Sequence, residues 1–336
     1  MDELQTLINR LKEMQKGCED KCIDLQTLKF EAKESDMRLY DQSTTYWFKS
    51  DPKNPNDPKI IHGAKQFCSL QKVPYSFFAK NPEHMKNQMV ECWLPTLKPE
   101  KAQILAKLRK SQTGYIIRAL LPVEFTNISN ADVLSIVSDA AGDSFKMEFA
   151  IGDERDDLVL HVRFISTDTF DACGEQCSTG FSIIASELGA APLSIETMLY
   201  RVPSKASMIA SYGLEGYFTS NYEGIQANDL RDLFPRLINN LKNQLPELKE
   251  RIQSAKDAMT KKEDIKEFLK TLRLRKGLSE KFHTLFFQEI ENDTSVKNRW
   301  DLVNKMSVLA KDFDVITRVK IEKAAGELIG LGFEKV

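Results

Sequence analysis

The sequence predicts an α+β fold: an antiparallel sheet of about five strands with flanking helices, a long N-terminal amphipathic helix and an all-helical C-terminal third. Three observations carry this. Between residues 113 and 224, five runs rich in Ile, Val and aromatic residues are separated by Gly, Asp and Pro, the pattern of short strands joined by turns. Residues 2–35 repeat apolar side chains at helical spacing, and the chain does so again from Asn228 onward. The expected segments are 1–36, 37–112, 113–227 and 228–336.

Leu4, Leu7, Leu11, Met14, Cys18, Leu25 and Leu28 fall on heptad a and d positions, with Lys21 as an interruption. This spacing predicts the first helix, weakened in its middle by Gly17. Its stripe either packs on the chain's own body, the preferred expectation, or joins copies into a homo-oligomer. The aromatic cluster Tyr46, Trp47 and Phe48 predicts a strand, followed by a Pro- and Asn-rich loop. Pro74 and Pro82 punctuate a series of short helices.

The five strand candidates are "TGYIIRALLPVEF", "DSFKMEFAIG", "DLVLHVRFIST", "TGFSIIASE" and "LSIETMLYRV". A helix with Asn130 as N-cap separates the first two, and "GDERDD" makes an acidic loop between the second and third. In the C-terminal third, Pro246 breaks a helix. Gly277 marks a helix stop, Ser279 an N-cap, and the last two helices cover 295–311 and 314–330.

With 336 residues, 42% of them hydrophobic, the chain has enough apolar material for a sizeable core. A formal net charge of -2 argues against wholesale binding to nucleic acid or membrane and leaves local patches open. No apolar run reaches the roughly 20 residues of a membrane span. The N-terminus lacks a secretory pattern, so a cytoplasmic address and free thiols are expected for the six cysteines.

Enzyme signatures are weak. A nucleophile elbow needs Gly-x-Ser-x-Gly, but Ser186 follows Ile184 and Ala185, and Gly189 is displaced by one position. The corner at Ser186 therefore reads as structural, with Glu187 capping backbone amides and Gly189 supplying a positive φ. Cys18 and Cys22, like Cys173 and Cys177, are too widely spaced for zinc knuckles. Phosphate-binding loops are absent. No catalytic residue, metal or cofactor is expected.

The informative signal is basic. Residues 97–121 carry Lys98, Lys101, Lys107, Arg109, Lys110 and Arg118 against one acid, Glu100. This basic helix leads into a strand with Tyr115. Cations beside an exposed aromatic on a sheet suit a single strand: phosphates are neutralised while a base stacks on the ring. Arg163 and Arg201, on neighbouring predicted strands, extend the groove. A second cluster, Lys270, Arg273, Arg275 and Lys276, sits at a helix C-terminus, where positive charge is favourable in any case.

Several stretches together resemble an uncharacterised family of phage/plasmid-like proteins, over residues 3–330. Val73, Pro74 and Phe77 stand at its turn, with Cys92, Trp93 and Leu94 at its closing segment. Arg118, Ala119, Leu121, Phe125 and Asn130 stand at its strand-to-helix unit. "GFSIIASELGAAPLSIETMLYRV" is similar to its Gly…Asn-Ser-Glu-x-Gly…Tyr-Arg segment, with Ala185 in place of the Asn. "NRWDLVNKMSVLAKD…RVKIEKAAGELI" resembles its C-terminal helix pair. The resemblance implies a mobile-element setting and supplies no established reaction. The resulting expectation is a non-enzymatic protein that binds single-stranded DNA in phage or plasmid DNA metabolism or recombination. The alternative is a protein-interaction adaptor of a mobile element.

Overall fold

The computed structural model describes residues 3–33, 36–48, 58–149, 159–209, 217–259, 265, 280–291, 293, 295–313 and 315–330. The expected loops at 49–57 and 152–157, the second basic cluster at 270–276, Gly277 and Ser279 lie outside these residues. The class is mixed α and β, built on two six-stranded sheets rather than one sheet of five strands.

The first sheet has the order β1-β5-β6-β4-β3-β2. Its strands are β1 (Cys18–Asp24), β2 (Lys29–Lys33), β3 (Asp36–Tyr40), β4 (Thr45–Trp47), β5 (Gln103–Ser111) and β6 (Gly114–Leu121). Neighbours run antiparallel except β4 and β6, which are parallel. The second sheet contains β7 (Phe145–Phe149), β8 (Leu160–Ala172), β9 (Glu175–Ala185), β10 (Leu193–Arg201), β11 (Ala206–Ile209) and β12 (Tyr217–Ser220). Here β11 and β12 share the outer edge of β10.

All five expected strands exist as β6 to β10. They part company because β6 closes a tight turn with β5 at Ser111–Gly114 and takes β4 on its other side, so it belongs to the first sheet. The basic segment is also corrected. Only Pro99–Ala102 is helical (α5), and Gln103–Ser111 is strand.

The long N-terminal helix is shorter than its heptads suggest. Helix α1 spans Glu3–Gln15, Gly17 takes a positive φ of 76°, and β1 follows. A left-handed glycine ends helices at little cost. Leu4, Leu7 and Ile8 bury in one core while Leu25 and Leu28 bury in another, so the continuous heptad was a coincidence of two elements. The stripe of α1 packs against α6 (Asn130–Ala141), on the chain's own body.

Helices α2 (Pro58–Leu70), α3 (Tyr75–Lys80) and α4 (Glu83–Trp93) are the expected short series. Their Ala64, Phe67, Phe78 and Val90 pack on one face of the first sheet against Ile104, Ala106, Leu108 and Ile117. The N-cap of α6 is Ser129, one residue before the expected Asn130, in a reciprocal capping box with Asp132. Helix α7 (Ala227–Asn243) covers the second sheet, tolerating Pro235 in its interior. Pro246 opens α8 (Leu245–Asp257), as expected of a helix breaker. Then come α9 (Glu280–Glu291), α10 (Arg299–Leu309) and α11 (Val315–Gly330), close to the expected last pair. Trp300, Met306, Ile321 and Leu328 form a third core with Leu199 and Met208 of the second sheet. Among the described residues, no helix is long and apolar enough to cross a membrane.

Candidate functional site

The face of the first sheet opposite α2–α4 carries a row of directly paired residues that crosses all its strands. The register runs Cys18, Arg109, Ile116, Trp47, Arg38, Glu31. Directly paired residues point to the same side, and strands lie about 4.8 Å apart, so the row extends roughly 24 Å. Each of these side chains is half-buried. Tyr40 lies two residues beyond Arg38 on the same face, opposite the exposed Lys29. The Arg38 guanidinium sits over both Tyr40 (5.0 Å) and Trp47 (5.3 Å) and is hydrogen-bonded to Glu31. The Trp47 indole N–H donates to the Thr113 carbonyl at 3.2 Å, which fixes the ring.

Of the residues singled out from sequence, Arg109 belongs to this row. The others are dispersed. Lys98 and Lys101 are exposed at α5. Lys110 is exposed, lies opposite Tyr115 on the α2–α4 face, and stands 3.6 Å from Glu19. Tyr115 itself is half-buried and stacked on the buried Tyr46, with centroids 5.9 Å apart. Arg109 and Lys110 diverge because successive strand residues face opposite sides.

Lys107 is buried, donating to Asp20 Oδ2 and Asn127 Oδ1 at 2.6 Å each. Arg118 pairs with Glu187 at 3.3 Å, its side chain only 10% exposed. Arg163 and Arg201 do not extend the row, because both lie in the second sheet. Arg163 is wholly buried against Glu322 of α11 and Ser207. Arg201 pairs with Glu175 at 2.5 Å and lies over Trp300. Burying a cation demands a carboxylate partner, and these residues have one. A single open trough from Lys107 to Arg201 is therefore replaced by the row.

Trp47 was expected in a strand and lies in one, β4, but neither it nor Arg38 nor Tyr40 was expected at a binding surface. The signal was present: "KFEAK" and "MRLY" alternate polar and apolar positions, the mark of a half-buried strand. The accidental heptad, extended to residue 35, masked the first of these.

Beside Cys18 the sheet opens into a polar cleft of about 380 Å³ between α1 and the N-terminus of α6, floored by Lys107, Arg118 and Glu187. The Ser186 corner forms one side. The Ser186 N–H donates to Tyr222 Oη at 2.6 Å, and Ser186 Oγ accepts from the Ala190 N–H at 2.9 Å. Glu187 accepts from the Asn130 N–H at 3.3 Å, the amide cap expected of it, and Gly189 has φ 68°.

A buried polar cluster lies under α11. His161 Nε2 meets Ser182 Oγ at 2.9 Å, and Glu196 lies opposite Ser182 on β10 and pairs with Lys323 at 2.5 Å. Burial, then the cations Arg163, Arg318 and Lys323, push His161 down to about 3, so its imidazole is neutral. Burial also lowers Arg163, opposed by Glu322. Comparison with protein-family models, curated proteins and solved structures finds no match for this chain.

Proposed function

We propose that the protein binds single-stranded DNA along the half-exposed row of its first sheet, without catalysing a reaction. The supporting observation is Arg38 stacked over Tyr40 and Trp47 in register with Arg109. Aromatic faces hold bases without regard to sequence, while Arg109 and Lys29 neutralise phosphates and Arg38, paired with Glu31, holds the rings in place. The phage or plasmid setting implied by the resemblance is part of the same proposal.

The test is a salt titration with labelled oligonucleotides. Two phosphate contacts give a log–log slope of about −1.4 on single strands. Trp47→Ala lowers affinity about tenfold, in keeping with the loss of one stacked base. Absence of binding at low salt overturns the proposal. A second reading, a protein-interaction adaptor, draws on Phe77 and Met85, exposed at 56% and 41% on α3 and α4. Host proteins captured equally well after nuclease treatment, and lost in Phe77→Ser, favour that reading instead.

A further inference from the structure

The first sheet ends in two edge strands, β2 and β1, and only one of them is covered. Along β2, Asn87 of α4 closes the edge. The Ala32 N–H donates to Asn87 Oδ1 at 2.6 Å, and Asn87 Nδ2 donates to the Ala32 carbonyl at 3.3 Å. The outer edge of β1 has no such cover among the described residues. The Lys110 N–H donates to the Gly17 carbonyl at 2.8 Å, which fixes the phase of the ladder between β1 and β5. Glu19, Lys21 and Ile23 therefore turn their backbone groups toward β5, while Cys18, Asp20 and Cys22 turn theirs outward. Asp20, Lys21 and Cys22 are exposed. An open run of N–H and C=O groups is a template for another strand.

We infer that the edge of β1 pairs antiparallel with β1 of a second copy of this chain, in a register centred on Asp20. The charges select both the partner and the register. Centred on Asp20, Glu19 faces the second copy's Lys21, and symmetry repeats the pair. Glu19 has only a loose partner within its own chain, Lys110 at 3.6 Å. Lys21 donates to Tyr46 Oη at 3.0 Å and keeps further N–H donors. The two Asp20 side chains meet at the axis, but Lys107 holds each of them at 2.6 Å and offsets its charge. Centring on Glu19 or on Lys21 sets that residue against its own copy, and centring on Cys22 sets Asp20 against Asp24. Like charges directly opposite are destabilising, so these registers are disfavoured. The two sheets join into one, with both rows on the same side. The inference stands without the nucleic-acid reading.

Sedimentation velocity of the full chain over about 1–100 µM tests it, the range suited to a small, transient interface. The expected result is a wild type that dimerises as concentration rises. Glu19→Lys and Lys21→Glu, each alone, set like charges across the axis and weaken self-association about tenfold. An equimolar mixture of the two variants restores it, because each carries the charge the other lacks, and this recovery also shows that both are folded. Cys22→Pro removes an outward N–H, keeps the ladder to β5 and abolishes the dimer. A wild type that stays monomeric over this range, self-association unchanged in the variants, or a mixture that pairs no better than its components overturns the edge assignment. The row is judged apart from it, by the salt titration.

Discussion

Glu187 ties three elements together through one carboxylate. It accepts from Gln15 of α1 at 2.9 Å, from Arg118 of β6 at 3.3 Å and from the first amide of α6 at 3.3 Å. A negative charge at a helix N-terminus is favourable, and pairing it with a guanidinium offsets its desolvation. Two residues on, Gly189 makes this placement possible. At φ 68° an added Cβ stands 2.5 Å from Leu121 Cδ2. Gly189→Ala therefore meets both a left-handed backbone and a clash, and destabilises the fold by about 1–2 kcal/mol. Urea denaturation monitored by circular dichroism checks this, with the midpoint falling and the slope unchanged. The role of Ser186 and Glu187 as a corner was legible from the run Ser-Glu-Leu-Gly. The partners of Glu187 in α6 and α1, 57 and 172 positions away in the chain, were not.

At the scale of elements, caps and breaks follow local rules. Ser129 receives the Asp132 N–H at 3.0 Å, and the Asp132 carboxylate receives the Ser129 N–H at 3.3 Å. Ser129→Ala removes one half of this box and costs about 1 kcal/mol, measurable by the same denaturation. Helix α6 packs on both α1 and α7, so its N-terminus is a structural junction as well as a wall of the cleft. Gly17 is decisive for α1. The heptad continued past it, yet its positive φ turns the chain, and the Lys110 N–H donates to the Gly17 carbonyl at 2.8 Å as β1 joins β5. Periodicity alone does not separate one long helix from a helix followed by a strand when apolar residues fall in step by chance.

At the scale of the whole molecule, the two sheets divide the work. The first presents the row with aromatic rings and cations half open to solvent. The second buries its charges beneath α11, where His161 lies among Arg163, Arg318 and Lys323, with Glu196 and Glu322 nearby. This cluster makes stability depend on pH. Unfolded His161 takes up a proton near pH 6.5, while in the folded chain it does so only near 3. Between those values the unfolded state binds more protons, so stability is fully present above pH 6.5 and is lost as pH falls. The loss amounts to about 1–2 kcal/mol between pH 6.5 and 5. Unfolding free energies of the wild type and His161→Gln over that window check it, since the variant loses this part of the slope. Trp47→Ala, remote from this cluster and in the other sheet, changes oligonucleotide affinity and leaves the pH profile as it is.

The sequence by itself determined the mixed class, six of the strands (β4 and β6 to β10), the helix breaks at Pro74, Pro82 and Pro246, and the structural character of the Ser186 corner. Each of these depends on neighbours a few positions apart, through backbone sterics, side-chain alternation or a missing N–H. Only the tertiary structure decided that β6 leaves the other four strands and that Lys107, Arg118, Arg163 and Arg201 serve as partners of carboxylates. It also decided that Arg38, Trp47 and Arg109 stand in one row. Those outcomes depend on strand pairing between distant segments, and a cation's freedom is set by whichever carboxylate the fold carries to its side.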